Sequence, residues 1–196
     1  MENAFSYFLQ RNLQTVDDER TLISSALGGD LESFNCLVLA YQNLIYNVAF
    51  QILGERSSAE DASQEAFILA FRKLSTLRGG SFRGWLLRIV TNVCYDELRY
   101  RKRHLTSHPE GEDEIESGKW IVDPAKSPED ELERVDLART VQAAIDKLPL
   151  EFRLVAVLVD LQGMDYVETA RILGLPLGTV KSRLARARAR LSVCLQ

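Results

Sequence analysis

Apolar residues recur at helical spacing along almost the whole chain, and no stretch shows the strict alternation of a half-buried strand. Leu31, Phe34, Val38, Tyr41, Ile45, Val48 and Ile52 mark one long amphipathic run that ends near Gly54. Ser57, Ser58, Glu60 and Asp61 then offer overlapping Ser-x-x-acid capping boxes for a next helix. That helix carries Ala62, Phe67, Ala70, Phe71 and Leu74 and ends before Gly79-Gly80. A third runs from about Phe82 to Arg103. There the periodicity lapses. HLTSHPEGEDEIESGKWIVDPAKSPED holds three prolines, two glycines and many acids, and reads as a linker. Ser127-Pro128-Glu129-Asp130 has the form of an N-cap, a first-turn proline and dipole-compatible acids. The helix it opens carries Leu132, Val135, Val141, Ile145 and Leu148, and Pro149 ends it. A further helix, Leu150 to Gln162, stops at Gly163. The last pair runs from about Asp165 to Leu173 and from about Leu177 to Leu191, around Gly174-Leu175-Pro176. The pattern predicts an all-α protein of two small helical domains. An N-terminal extension (1–20) precedes a first helical domain (21–104), an acidic flexible linker (105–127) and a second helical domain (128–196).

Several function classes fall away. No run of about 18 uncharged apolar residues stands out, which argues against membrane insertion. The N-terminus, MENAFSYFLQRN, lacks a basic region followed by an apolar run, so a cytoplasmic location is expected. Cys36, Cys94 and Cys194 lie far apart in apolar surroundings and read as reduced packing residues. With His104 and His108 they make no familiar zinc spacing. There is no phosphate-binding glycine loop, no metal-ligand cluster and no nucleophile beside a histidine. The expectation is a non-enzyme with no catalytic residues, no metal and no cofactor.

The net charge of −4 hides a strong segregation. Residues 72–104 carry nine basic and two acidic residues, and residues 163–196 carry six and two. Between them, residues 105–133 carry two basic and ten acidic residues; residues 1–71 carry three and ten. Local field governs attraction to phosphates, so each half has its own cationic zone. Solubilising helix faces explain mixed charge well and these nearly one-sign blocks poorly.

The terminal pair has the form of a helix-turn-helix. Val180, Leu184, Ala187 and Leu191 form the core stripe of its second helix. Lys181, Ser182 and Arg186 lie off that stripe, and Arg183 flanks it. Gly178 and Thr179 occupy the first turn, where recognition helices meet base edges. Lysine and arginine there suit phosphates or guanine edges.

The helix from Phe82 carries a second pattern. Leu86, Ile89, Val90 and Val93 suit a core, while Trp85, Arg88, Asn92, Tyr95, Arg99 and Lys102 share another face. Cations for phosphate, rings for stacking and an amide for a base edge suit unpaired nucleic acid. Trp85 and Tyr95 can equally serve as core residues with polar tips. The loop Thr76–Ser81 is either a wall for a flipped base or a plain turn.

AEDASQEAFILAFRKL, SFRGWLLRIVTNVCYDELRYRKR and GMDYVETARILGLPLGTVKSRLARARARL, in that order, resemble segments of the sigma-70 family. The chain is similar to its extracytoplasmic-function (ECF) group, which has domains two and four alone. The resemblance covers about Thr21–Arg103 and Pro128–Leu191. It implies binding to core RNA polymerase through the clamp helices of the largest subunit and the flap. It also implies reading of promoter DNA, with the −35 element taken as duplex and the −10 element as unpaired non-template strand. By position, Asp61, Gln64, Glu65 and Phe67 belong to polymerase binding. Arg88, Asn92, Asp96 and Arg99 belong to melting, and Arg78, Gly79, Gly80, Ser81 and Phe82 to the loop that accepts a flipped base. Thr179, Lys181, Ser182, Arg183 and Arg186 belong to −35 recognition. The family further implies an anti-sigma protein as partner and a monomer in complex. Ala62-Ser63 stands where paired aliphatics are common, and Thr91 where a basic residue often precedes the asparagine.

Without the resemblance, a duplex-binding repressor explains Gly174–Leu191 but leaves the stripe from Trp85 to Lys102 without a use. A helical adaptor with no DNA role is the other alternative, and salt-insensitive behaviour would mark it.

Overall fold

The computed structural model describes residues 16–78, 80–105 and 128–194, and every regular element among them is helical. The first half contains α1 (Val16–Leu27), α2 (Leu31–Leu53), α3 (Arg56–Lys73), a single 3-10 turn (Leu74–Thr76) and α4 (Phe82–Leu105). The second contains α5 (Pro128–Asp146), α6 (Leu150–Ala156), α7 (Tyr166–Leu173) and α8 (Leu177–Cys194). A wide π turn, Val157–Leu161, continues α6. The expected boundary at residue 20 falls inside α1, so that helix belongs to the first bundle rather than to an extension. Residues 1–15 and the linker residues 106–127 lie outside the described residues.

Local chemistry accounts for the main boundaries. Asp30 caps α2, its carboxylate accepting from the amides of Glu32 and Ser33 at 3.2 and 3.3 Å. Gly54 ends it in the left-handed region (φ 76°), donating its N–H to the carbonyl of Phe50 at 2.8 Å. The capping boxes expected at Ser57 and Ser58 do not form. The cap residue is Glu55, and both serines sit inside the first turn, donating their hydroxyls to its carboxylate at 2.7 Å. A serine caps a helix only from the position just before its first turn, and here the chain turns helical at Arg56, two residues before a Ser57 cap would start it.

α2 is the spine of the first bundle. Ile45, Val48, Ala49 and Ile52 are fully buried against α3 and α4. α3 presents Ala59, Ala62, Ala66 and Ala70, a stripe of small residues that admits the neighbouring helices closely. Ser63 is buried too, its hydroxyl returned to the carbonyl of Ala59 at 2.6 Å. α4 contributes Leu86, Leu87, Val90 and Cys94. By length and composition α2 could cross a membrane, but 44% of its most apolar window is buried as core.

The second half is built around Val155, Val180 and Leu184, and around Phe152, Ala156 and Ala187. Two cores on a tether are expected; the structure instead docks one half on the other. Ile145, Leu154, Val157, Leu158, Met164 and Ile172 join the first bundle's apolar cluster. Polar groups stitch the seam. Arg153 of α6 donates to the carbonyl of Ile52 at 2.6 Å, placing a cation on the negative end of α2. Arg153 also donates to the carbonyl of Asp146 and pairs with that carboxylate at 3.6 Å. Burial raises the carboxyl of Asp146, with Arg153 and Gln142 opposing. Gln162 donates to the side chain of Gln51 at 3.0 Å. A Cβ on Gly54 would stand 2.9 Å from Oδ1 of Asp146, so the seam needs a glycine there twice over.

Candidate nucleic-acid interface

On α4 the predicted stripe is largely open. Arg88, Asn92, Tyr95, Asp96, Arg99 and Lys102 are all exposed. They lie along the side of α4 opposite Leu86, Val90 and Cys94, which hold the helix to the core. Trp85, at the start of the stripe, is partly buried. Its ring tilts against Phe82 at 5.6 Å, and Phe82 meets Tyr41 edge-on at 5.3 Å. The Tyr41 hydroxyl donates to Glu19 of α1, and burial raises its pKa well above the ordinary phenol range. Phe82 is only 2% exposed, which corrects its expected DNA contact. Its part is to brace Trp85, because the first residue of α4 is carried into the bundle by the turn before it.

The preceding loop lies open, with Arg78, Gly80 and Ser81 exposed. Gly79 is outside the described residues. Ser81 caps α4, accepting from the amide of Gly84 at 3.3 Å. Arg78, Ser81, Trp85 and Arg88 form one wall of a groove of about 520 Å³ whose other wall is Glu168, Arg171 and Ile172 of α7. Thr91, standing where a basic residue is common, is 2% exposed and donates to the carbonyl of Leu87 at 2.6 Å. It packs rather than binds.

α3 offers a different surface. Asp61, Gln64 and Glu65 project to solvent, while Phe67 is partly buried on the core. Ile68 and Phe71 are 52% and 45% exposed. Ile68 continues the ridge of Asp61, Gln64 and Glu65, and Phe71 rests edge-on against Phe34 at 5.0 Å. Sequence reasoning places Phe71 inside and passes over Ile68. The alanine spacing of α3 was the signal, since it already names the buried side. An open groove of about 590 Å³ joins Glu65 and Lys73 of α3 to Asn92, Tyr95, Asp96 and Arg103 of α4.

The helix-turn-helix forms as expected. Asp165 caps α7, accepting from the amide of Glu168 at 2.7 Å, and Gly174 takes φ 63°. The amides of Thr179 and Val180 donate to the carbonyl of Pro176 at 2.9 and 3.2 Å, starting α8 without a side-chain cap. A Cβ at Gly178 would meet nothing within 4 Å, so the backbone is open to an approaching duplex. The basic residues of α8 divide. Arg183 pairs with Glu151 of α6 at 3.2 Å, Arg188 binds Asp160 through two nitrogens at 2.5 and 3.1 Å, and Arg190 lies over the Phe152 ring at 5.3 Å. Lys181 and Arg186 make no such bond among the described residues. Ser182 is exposed but returns its hydroxyl to the carbonyl of Thr179 at 3.0 Å.

Two family models match these two halves: sigma-70 region 2 over residues 37–104, and sigma-70 region 4 over residues 138–191. The RNA polymerase sigma-H factor of Pseudomonas aeruginosa is 34% identical over 93% of this chain and 96% of its own length. The chain is an ECF sigma factor. The sigma factor is also 35% identical to the ECF sigma factor SigW of Bacillus subtilis, over 82% of its own length and 87% of that protein's. With the ECF sigma factor SigE of Mycolicibacterium smegmatis it shares 38% identity over 82% of the chain, which spans 61% of that longer protein. Among solved structures, CnrH in complex with the cytosolic domain of CnrY superposes with a TM-score of 0.64 at 27% identity, over 91% of this sigma factor and 97% of CnrH. RpoE of Bartonella quintana, crystallised with the anti-sigma factor NepR, gives 0.68 at 23% identity over 84% and 98%. Relatives of this kind are transcription regulators, not enzymes.

Proposed function

We propose that this sigma factor binds core RNA polymerase, chiefly the clamp helices, through the outer ridge of α3, and reads promoter DNA with α4 and α8. The observation that carries the reading is the pair of separate cationic surfaces, each on a helix whose opposite side is locked into a core. Asp61, Gln64 and Glu65 suit a basic partner helix, and Ile68 adds apolar area at their side. The stripe Trp85, Arg88, Asn92, Tyr95, Asp96, Arg99 and Lys102, with the loop Arg78–Ser81, takes the −10 element as unpaired non-template strand. Bases already stacked in a duplex gain little from aromatic rings, so the rings favour unpaired ones. Gly178, Thr179, Lys181, Ser182 and Arg186 take the −35 element in the major groove while the flap holds the second half, with Arg183 reaching only phosphate beside Glu151.

One related fold is in complex with an anti-sigma factor and another with the cytosolic domain of CnrY, and the apolar patch at Ile68 and Phe71 suits an anti-sigma partner as well as polymerase. The sigma factor acts in the cytoplasm as one copy per polymerase. Run-off transcription from a promoter library, using core polymerase with and without the protein, tests the reading. New start sites that depend on the protein are the expected result. No polymerase binding at all would overturn it.

A further inference from the structure

The second half holds its reading helix by both edges. Val180, Leu184 and Ala187 form the stripe of α8 that packs on α6. At about 100° per residue, Arg183 and Arg190 fall on one flank of that stripe and Arg188 on the other. Each flank is tied to α6 or to the turn that continues it. Arg183 pairs with Glu151 at 3.2 Å, and Arg190 lies over the Phe152 ring at 5.3 Å. Across the stripe, Arg188 reaches Asp160 through two nitrogens at 2.5 and 3.1 Å, with Tyr166 of α7 beside the same guanidinium. Asp160 stands on the wide π turn, where the amide of Gln162 returns to the carbonyl of Val157 at 2.9 Å. Such turns are rare and collect at functional sites.

We propose that Asp160 is a positioning residue for −35 recognition: through Arg188 it fixes the rotation of α8, and with it the aim of Lys181, Ser182 and Arg186. The inference rests on the −35 reading proposed above. Apolar burial is non-directional, so Val180, Leu184 and Ala187 hold α8 down without setting its rotation tightly. A rotation of about 20° carries a group about 6 Å from the axis through about 2 Å. A binding constellation tolerates displacements of only about 0.5 Å. Ties on both flanks resist rotation in either sense. The side chain of Arg188 is 55% exposed and that of Asp160 29%, so the pair adds little to stability. What a two-nitrogen fork adds is direction. The flanks are unequal. Arg183 and Arg190 hold theirs through two partners, whereas on the Arg188 side Asp160 supplies the only carboxylate bonded among the described residues.

Charge and position predict opposite results here. Removing a carboxylate beside a DNA-reading helix strengthens attraction to any duplex, whereas lost aim lowers discrimination alone. The test uses core polymerase assembled with the full-length protein, and a promoter duplex recovered from the library with its −35 element intact or scrambled. Discrimination is the ratio of the two dissociation constants in a competition titration. Asp160→Ala should lower it about tenfold, the worth of one well-aimed base contact. The urea midpoint should stay in place, and affinity for the scrambled duplex should be equal or higher. Glu151→Gln removes the same charge from the other flank and should keep most of its discrimination, because Arg190 still lies over Phe152. Arg188→Asp should behave as Asp160→Ala does. Adding Asp160→Arg to it rebuilds the pair in reverse at the wild-type net charge, and should recover the ratio. Wild-type discrimination in Asp160→Ala, an equal fall in Glu151→Gln, or a swap no better than Arg188→Asp would overturn the inference. Equal loss of affinity for both duplexes would also overturn it, since that marks a lost phosphate contact or a general loss of structure. No discrimination by the wild-type complex would instead sink the −35 reading, and the inference with it.

Discussion

Arg183, Arg188 and Arg190 of α8 engage Glu151, Asp160 and the Phe152 ring, so the −35 contact proposed for this helix falls chiefly to Lys181 and Arg186. Arg186→Ala should therefore cost −35 binding about 1–3 kcal/mol if it reaches a base, or lower the salt slope by about one if it reaches phosphate. Arg183→Ala should cost less. Titration of the isolated upstream duplex at several salt concentrations checks both. Glu55 makes a second prediction. Hydrogen bonds from Ser57 and Ser58, helped by Arg101, hold its carboxyl down to about 2. The depressed folded value means its contribution is complete above the unfolded value of about 4.3 and is lost as pH falls toward 2. Glu55→Gln should flatten the fall in urea midpoint between those values. An unchanged slope would show that the carboxylate is not the cause.

α4 carries two sets of residues on one helix, and substitutions should separate them. Trp85→Ala should weaken binding to a single-stranded −10 oligonucleotide by about 1–3 kcal/mol and leave duplex binding alone. Phe82→Ala should cost stability instead, about 3–5 kcal/mol, since it empties a buried site beside Tyr41. Fluorescence titration and chemical denaturation distinguish the two. On α3, the alanine stripe sets how near the neighbouring helices come. Ala66→Leu, at a site with no exposure, should destabilise by about 1–3 kcal/mol through overpacking. Ile68→Ala, on the outer ridge, should leave the unfolding midpoint in place and weaken polymerase binding.

Across the molecule, the seam decides whether the halves unfold together. A shared apolar cluster and the Arg153 bond to the end of α2 couple them, so a single thermal transition is expected. Arg153→Ala removes the partner of Asp146 and of the Ile52 carbonyl, and should cost about 2–4 kcal/mol. It should also split the transition in two. One transition that merely shifts would place the coupling in the apolar contacts alone.

Helix periodicity, Gly54, Asp30, Asp165 and Gly174 are local signals, and they located α2, α4, α7 and α8 within a few residues, with the family resemblance following from the same stretches. The local code failed where two residues competed for one role. Ser57 and Ser58 met a capping pattern that Glu55 had already filled, and Phe82 and Phe71 each had a plausible inside and outside. Pairings between distant residues lie beyond any local pattern. Nothing near Arg183 in the chain announces Glu151, and nothing near Gly54 announces Asp146. The docking of the halves belongs to the same class. Ile145, Leu154 and Leu158 have apolar spacing that either half could use, and only the packed geometry shows that they bury against α2 rather than inside the second half. Periodicity reports that a face must be covered; what covers it depends on shapes and partners that the chain assembles at long range.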